Sequence, residues 1–229
     1  MIDLAAWLTL LQFADGLFPS GGFAHSFGLE TYAQAGTVRD ATGLEAFIRS
    51  HLDGAAGPAD AVAVALAARA GVVDDEAACR ELDRRLDAMK TVPEFRAASR
   101  QMGRQTARVA AAARAPLLVA IARAIDEERT PGHHAVVFGA ATGAAGAPPE
   151  AAAAAYLHAT AAMLVGAGLR LLPIGQVDGQ RVLVAVRPRI TRLAAEAAAS
   201  RIEDLWSFTP ALELAGLHHA NLEGRLFRS

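Results

Sequence analysis

The stretch Leu-Phe-Pro-Ser-Gly-Gly-Phe-Ala-His-Ser-Phe-Gly-Leu-Glu, residues 17–30, interrupts a chain that is otherwise rich in helix-forming Ala and Leu. Its helix breakers are Pro19, Gly21, Gly22 and Gly28, and between them lie aromatic rings, an imidazole, hydroxyls and a carboxylate. Because proline fixes φ and glycine admits positive φ, the pattern predicts a tight turn. We look for function first in this polar turn, because the rest of the chain is built for helix packing.

On both sides of the turn the sequence predicts helices, and therefore an all-α, single-domain bundle of roughly ten helices. Leu4, Leu8 and Leu11 form an apolar stripe on the first helix, and a short helix is expected from Ser26 to about Ala35, capped by Ser26. Later helices are expected to start at Asp40 or Thr42, Pro58, Asp74–Asp75, Pro93, Pro116, Ala135, 150 and Thr191, with breaks at Gly57–Pro58 and Pro188. Residues 182–186 are strand-like in composition, but a lone strand has no partner, so helix is preferred.

Composition narrows the class of protein. The 229 residues are expected to form one domain, 1–229, and the net charge of −2 provides no basic surface for nucleic acid. The single cysteine, Cys79, excludes an internal disulfide and is typical of a reducing compartment. The chain starts without signal-peptide features, and the apolar stretch 151–172 is interrupted by polar residues. We therefore expect a cytoplasmic protein that binds neither nucleic acid nor a membrane.

The segment 94–105 combines arginines with a glycine in the middle of a predicted helix. One interpretation is a solvated arginine face. The other is that Ser99 and Gly103 pack tightly on the buried side while Glu94 and Arg96 pair with neighbouring residues. Helical spacing alone leaves both open.

Two further segments combine cations with apolar residues. Arg170 precedes Pro173 and Gly175, which predict a rigid turn presenting Gln176, either as a simple helix stop or as a contact surface. In residues 225–229, Leu226 and Phe227 lie between two arginines, so a free tail would expose both to water. We expect residues 203–229 to contain a tail that orders on partner binding.

Neither a metal centre nor a catalytic centre is complete in the sequence. The seven histidines include two adjacent pairs, 133–134 and 218–219, but no His-x-x-x-His or cysteine pair, so no bound metal or cofactor is expected. A helical hydrolase using Ser26 or Ser20 with His25 is an alternative, although no Gly-x-Ser-x-Gly elbow is present. A metallochaperone that binds its metal ion through histidines is a second alternative.

Four motifs in order resemble the urease accessory protein UreF family. The turn from Pro19 to Glu30 is similar to its N-terminal signature, and residues 94–103 are similar to its central helix. Residues 170–176, Arg-Leu-Leu-Pro-Ile-Gly-Gln, resemble its Arg-Leu-x-Pro-x-Gly-Gln element. The end of the chain, 225–229, resembles its Arg-Leu-Phe-x-Ser. Together these motifs extend the resemblance over nearly the whole chain.

The resemblance implies a non-enzymatic chaperone for nickel insertion into apo-urease. Such a protein forms a homodimer, binds a UreD/UreH-type scaffold, recruits the UreG-type GTPase, and modulates GTP-dependent nickel delivery. In the metallochaperone alternative, the metal ion that the histidines bind would be nickel. The residues expected at partner contacts are Pro19, Gly21, Gly22, His25, Ser26, Glu30, Glu94, Arg96, Arg170, Gln176, His219, Arg225, Leu226, Phe227 and Ser229.

Overall fold

The computed structural model describes residues 2–229, and its regular elements within that range are all helical. The first six α-helices are α1 Leu4–Ala14, α2 Leu29–Gln34, α3 Ala41–His51, α4 Val62–Val72, α5 Glu76–Met89 and α6 Pro93–Ala111. They are followed by α7 Pro116–Asp126, α8 His134–Ala144, α9 Pro149–Leu171, α10 Gln176–Ala199 and α11 Pro210–His219. Short 3₁₀ turns occur at Gly22–Ala24 and Ile202–Asp204. The predicted all-α class is confirmed.

The predicted break at Gly57–Pro58 is wrong, because α3 and α4 are joined by a π-helical segment, Leu52–Ala61, into one continuous helix. Counting this as one helix leaves ten α-helices in the described range, as expected from the sequence. A proline inside a helix removes one N–H donor. Here the main-chain N–H of Phe208 donates to the carbonyl oxygen of Gly54 (2.8 Å), so the connection after α10 supplies a donor from outside the helix.

Pro188 also lies inside a helix rather than between two, since α10 runs unbroken from Gln176 to Ala199. Pro188 is exposed, so its ring is on the solvent side of the bundle. Residues 182–186 are helical, as preferred from the sequence. Predicted starts at Asp40 and Asp75 are confirmed: each carboxylate accepts a main-chain N–H of the first turn, from Gly43 (2.8 Å) and Ala78 (2.9 Å) respectively.

The apolar stripe predicted for α1 does not face the core. Leu4, Leu8 and Leu11 are 68, 58 and 51% exposed, whereas Ala6 and Leu10 are the buried residues of this helix. The helix therefore packs on the bundle through a narrow line of contacts. Its wider apolar face is directed away from the protein.

Helices α4 and α9 contribute residues to both of two hydrophobic clusters. One cluster surrounds Phe138 of α8 and includes residues of α1, α5, α6 and α7. The other surrounds Leu164 of α9 and includes residues of α3 and α10. The turn 17–30 and the segment after α11 meet beside this second cluster, which includes Leu29 and Phe227.

Two helices are long and apolar enough to cross a membrane, judged by length and composition alone. They are Ala41–Val72 and Pro149–Leu171, with mean hydropathies of 1.2 and 1.4. In the most apolar window of each, 78% and 50% of the residues are buried within the protein. Since core helices pass the same test, this is weak evidence for a membrane span.

Candidate functional site

The turn at residues 17–30 has a left-handed backbone at three positions. Gly21 and Gly28 have φ values of 85° and 87°, and Phe27, which is not a glycine, has a φ of 49°. Side chains with a Cβ rarely adopt this region, so the conformation of Phe27 has to be stabilised by its surroundings. Gly28, not Ser26, is the N-cap residue of α2, although the Ser26 hydroxyl does accept the Glu30 N–H at 3.4 Å.

The chain returns to this turn at residues 228–229. The main-chain oxygen of Ser229 accepts the N–H groups of Ser26 (2.6 Å) and Phe27 (3.0 Å) and the Ser26 hydroxyl (2.8 Å). The N–H of Arg228 donates to the carbonyl oxygen of Ala24 (2.9 Å), and Nδ1 of His25 lies 2.9 Å from Oγ of Ser229. These contacts hold the turn and the tail as one unit.

A buried carboxylate forms a second connection between the turn and the tail. Glu30 is 1% exposed, and its two oxygens accept the N–H groups of Leu226 (2.7 Å) and Phe227 (3.0 Å). Nε2 of His219 lies 3.0 Å from the same carboxylate, and Nδ1 of His219 lies 2.7 Å from a carboxylate oxygen of Glu94. Both ring nitrogens of His219 thus face carboxylate oxygens, and the ring links Glu30 of α2 to Glu94 of α6.

Glu94 extends this network to the protein surface. Its other oxygen accepts a hydrogen bond from the Arg225 guanidinium at 2.8 Å. The order is therefore Glu30, His219, Glu94 and Arg225, from the buried turn to the partly exposed edge of α6. A hydrogen-bonded network of this kind stabilises one arrangement of the chain because each of its polar groups has a partner.

Two titratable side chains of the turn, Glu30 and His25, have shifted pKa values. Burial alone raises the pKa of Glu30, but the N–H groups of Leu226 and Phe227 and the His219 ring favour the carboxylate, and the net pKa is lowered. Burial, assisted by the nearby Arg228 cation, lowers the pKa of His25 to about 4. At neutral pH the turn therefore contains an ionised Glu30 and a neutral His25.

Arg170 lies at the outer side of the same site. Its guanidinium carbon is 4.2 Å from the ring centroids of both Phe23 and Phe227, and its Nη1 donates to the carbonyl oxygen of Phe23 at 2.9 Å. One cation thus contacts an aromatic ring from the turn and one from the tail. Phe23 is 74% exposed and Leu226 is 51% exposed, so this edge combines a cation with accessible apolar surface.

The structure brings together most of the residues predicted for partner contacts. His25, Ser26, Glu30, His219 and Ser229 are buried, so in this conformation they shape the site from within. Gly22 is also buried, whereas Pro19 and Gly21 are exposed at the start of the turn. Arg96 is half-buried on α6, and Gln176 is the exposed first residue of α10. Their partner contacts stay predictions.

Phe227 of the tail packs against this chain itself and does not lie in water, where a free tail would place it. Its side chain is 4% exposed, because the second hydrophobic cluster and Arg170 cover it. Leu226 does remain half-exposed. Ordering of the tail on partner binding stays a prediction.

The serine–histidine pairing of the hydrolase alternative is not formed at this turn. The His25 ring contacts the Ser229 hydroxyl, and the Ser26 hydroxyl donates to the main-chain oxygen of Ser229. Both groups are thus directed to the tail rather than to each other. Across residues 2–229, no group of three or more His, Cys, Asp or Glu side chains is arranged to hold a metal ion.

Sequence reasoning missed a second buried network, around the loop before α8. Asp83, 2% exposed, accepts the Thr130 hydroxyl (2.5 Å) and the N–H groups of Gly132 (2.6 Å) and His133 (2.7 Å). This arrangement holds the loop against α5. The only signal in the sequence was a carboxylate on the apolar side of a predicted helix.

The His133 ring of this network lies between two side chains. Its Nδ1 is 3.0 Å from Oγ of Ser99, and its Nε2 is 3.0 Å from Oδ1 of Asp87. Burial lowers the pKa of His133, whereas pairing with Arg100 and His133 overcomes burial and lowers that of Asp87. The order Ser–His–Asp resembles a hydrolase triad, but the N–H groups of the loop beside the ring are occupied by Asp83. They cannot serve as oxyanion donors, so the arrangement supports the loop.

Ser99 and Gly103 lie on the buried side of α6, as the tight-packing interpretation of this helix expected. A Cβ on Gly103 would overlap the carbonyl oxygen of Gly132, so the loop and the helix approach closely. Glu94 pairs with His219 and Arg225, whereas Arg100 and Arg104 are exposed. The helix therefore combines tight packing on one side with a solvated arginine face on the other.

Comparison with known proteins gives one family. The UreF family model matches residues 38–187. The urease accessory protein UreF of Bacillus sp. (strain TB-90) is 34% identical, covering 97% of this chain and 98% of its own. That of Cereibacter sphaeroides is 35% identical over 98% and 99%, and that of Xanthobacter autotrophicus is 36% identical over 100% and 91%. The similarity thus extends through both the turn and the tail.

Proposed function

This chain belongs to the UreF family of urease accessory proteins, and from that premise we propose that it is a non-enzymatic assembly factor for nickel insertion into apo-urease. In this proposal it acts in the cytoplasm as a homodimer of single-domain subunits. It binds a UreD/UreH-type scaffold, recruits a UreG-type GTPase, and modulates the GTP-dependent delivery of nickel, which is cargo rather than a resident cofactor.

The observation that carries the proposal is the joined turn and tail. Buried polar contacts at Glu30 and Ser229 fix its shape, while Phe23, Arg170 and Leu226 present apolar and cationic surface at its edge. Protein interfaces favour this combination, in which aromatic and arginine side chains are held rigidly near the centre of a contact. We assign this face to the scaffold protein.

The exposed face of α1 supports the homodimer. Leu4, Trp7, Leu8 and Leu11 are between 46 and 68% exposed and follow helical spacing, so they form a patch on one side of the helix. Contiguous exposed apolar surface of this kind marks interaction sites. A two-fold dimer buries the same patch of both subunits at once. We assign the α1 face to the contact between two copies.

A co-purification experiment tests the scaffold assignment. Deletion from Arg225 onward is expected to abolish pull-down of the UreD/UreH-type protein while helical circular dichroism is retained. Because deletion also uncovers Glu30 and His219, the surface double variant Phe23→Ser/Leu226→Ser is the cleaner reagent and is expected to give the same loss. Val73→Ser is the matched control: it changes a side chain that is 71% exposed and lies outside this face, and it should bind normally. Unchanged capture by both tail variants would contradict the assignment.

The same complexes test the wider function. Reconstitution with scaffold, GTPase, apo-urease and nickel should give active urease with the wild-type chain and little with the double variant. Turnover of a small-molecule substrate by the isolated chain would overturn the non-enzymatic role.

A further inference from the structure

A cavity of about 610 Å³ lies beneath the turn, between the two hydrophobic clusters. Its wall includes the end of α1, the π-helical segment, the ends of α5 and α11, and parts of α6 and α9. Most of the lining is apolar, and the flexible side chains of Met102 and Met163 face it together with Phe13 and Phe18. Cavities of this size and lining bind small molecules, and methionine walls adapt to irregular shapes.

One side of the wall is polar. Nζ of Lys90 lies 2.8 Å from Oδ1 of Asp60, and these side chains are only 18 and 13% exposed. The ammonium group has further donors, and the carboxylate has further acceptor positions. The pair therefore offers both a donor and an acceptor to a third group, while its own charges cancel.

The other titratable groups on this side are uncharged at neutral pH. Burial lowers the pKa of His51 and of His134 to about 4, and it raises the pKa of the Tyr156 phenol well above its usual value. His51 and His134 each keep one buried ring nitrogen without a hydrogen-bond partner within residues 2–229. The nearest further charges on the lining are two acids, the exposed Asp15 and the half-buried Glu213.

We propose that this cavity binds an uncharged small molecule with an apolar body and one head group, such as a primary amide, that both donates and accepts hydrogen bonds. The head lies against the Lys90–Asp60 pair, and the body packs along Met102 and Met163. An anionic head is disfavoured by Asp60 and the two acids of the lining. A cationic head is disfavoured because Asp60 is already paired with the Lys90 ammonium, and the other two acids are exposed or half-buried, where solvent screens their charges.

Gly166 of α9 allows the cavity to be filled without disturbing its wall. It lines the cavity, and a Cβ built on it meets no atom within 4 Å. Gly166→Leu therefore places four carbon atoms in this space and also replaces a glycine inside a helix, which favours helix formation. Ala195→Leu, on the exposed side of α10, is the matched control.

Calorimetric titration of the full chain with octanamide, octanoate and octylammonium tests the proposal. Octanamide is expected to bind, and the two charged probes are expected to bind about tenfold more weakly or worse. At a concentration about ten times its Kd, octanamide should raise Tm by roughly 3–6 °C. Gly166→Leu should abolish both signals while remaining folded by circular dichroism, and Ala195→Leu should keep them.

A charge substitution separates a specific head-group contact from simple apolar partitioning. Asp60→Asn leaves Lys90 without its carboxylate and is expected to reverse the order of affinities in favour of octanoate. Failure of octanamide to bind the wild-type chain would overturn the proposal. Equal binding of all three probes, or binding that Gly166→Leu leaves intact, would overturn it as well. None of these outcomes depends on the scaffold or the GTPase, so the test is independent of the proposed assembly role.

Discussion

Nε2 of His219 lies 3.0 Å from Oε2 of Glu30, and both side chains are almost completely buried although 189 residues separate them in the chain. The same Glu30 carboxylate accepts the N–H groups of Leu226 and Phe227. Glu30 therefore anchors three residues from the end of the chain to α2. Loss of this one carboxylate should loosen the tail more than it loosens the helical bundle.

Glu30→Gln is expected to lower the free energy of unfolding by about 1–3 kcal/mol. Glutamine retains one acceptor, but its NH₂ group faces either a main-chain N–H or the His219 ring, so a buried donor loses its partner. Urea denaturation measures the change in unfolding free energy. Hydrogen exchange should show faster exchange at Leu226 and Phe227 than in the wild-type chain. Glu203→Gln, an exposed charge removal in the connection after α10, is the control and should leave both measurements unchanged.

Stability should fall as pH decreases from about 6.5 to 4. The pKa of His51 and of His134 is lowered to about 4 in the folded chain, whereas an unfolded histidine titrates near 6.5. Between these values the unfolded chain binds more protons, so their contribution is complete above about pH 6.5 and is lost as pH falls through 4. Urea denaturation across this range measures the slope of the unfolding free energy against pH. His134→Gln should reduce it, whereas replacement of the exposed His218 by Gln should not.

Below about pH 4.5, protonation of Glu30 and Asp87 causes a second loss of stability. Their folded pKa values are lowered, so their stabilisation is present above the unfolded pKa and disappears as pH falls through the folded one. The slope at pH 3–4 should be smaller in Glu30→Gln than in the wild-type chain. Equal slopes in both would show that the carboxylate is not favoured by the tail.

Gly103→Ala and Gly166→Ala should change stability in opposite directions. Both replace a glycine inside a helix, which alone favours the alanine by up to about 1 kcal/mol. A Cβ at Gly103 overlaps the Gly132 carbonyl, so the loop before α8 must move, at a net cost of about 1–3 kcal/mol. A Cβ at Gly166 meets nothing within 4 Å. Thermal unfolding of the two variants measures the difference in their stability, and equal Tm values would contradict the close packing of α6.

The sequence allowed the fold class and most helix starts to be predicted because capping and propensity are local. Asp40 and Asp75 act as N-caps whatever packs around them. The break predicted at Pro58 is wrong because the cost of a proline in a helix depends on tertiary partners, and the break predicted at Pro188 is wrong because that proline is accommodated on the exposed side of α10. At Pro58, a donor from residue 208 reaches the π-helical segment, and no local pattern contains that contact.

The candidate site could be located from the sequence, but the arrangement of its parts could not. Helix breakers identified the turn around Pro19, and apolar residues between arginines identified the end of the chain, as two separate segments of the site. Their union depends on Glu30 and His219, whose contacts span most of the chain. The direction of the leucines on α1 was also unpredictable, because periodicity identifies an apolar face but not whether it is covered by this chain or by another.

Arg170→Ala should weaken capture of the scaffold more than it weakens the fold. The guanidinium is exposed and contacts Phe23 and Phe227 at 4.2 Å, so its loss frees both rings without leaving a buried charge. We expect a loss of binding free energy of about 1–2 kcal/mol in a titration with the UreD/UreH-type protein. Arg181→Ala removes a similarly exposed arginine from α10 and should bind normally. Equal affinities of the two variants would contradict a role for the Arg170 edge.

Leu8→Glu/Leu11→Glu on α1 should convert the proposed homodimer into a monomer. The two leucines are 58 and 51% exposed in the single chain, so glutamates are tolerated there, but in a two-fold interface four new charges would meet. Sedimentation equilibrium measures the mass, and unchanged circular dichroism shows that the subunit is folded. Val72→Glu/Val73→Glu places the same charges at the end of α4, where the side chains are 63 and 71% exposed, and should leave the mass unchanged. If the α1 variant remained a dimer and the α4 variant dissociated, the interface would instead lie at the end of α4.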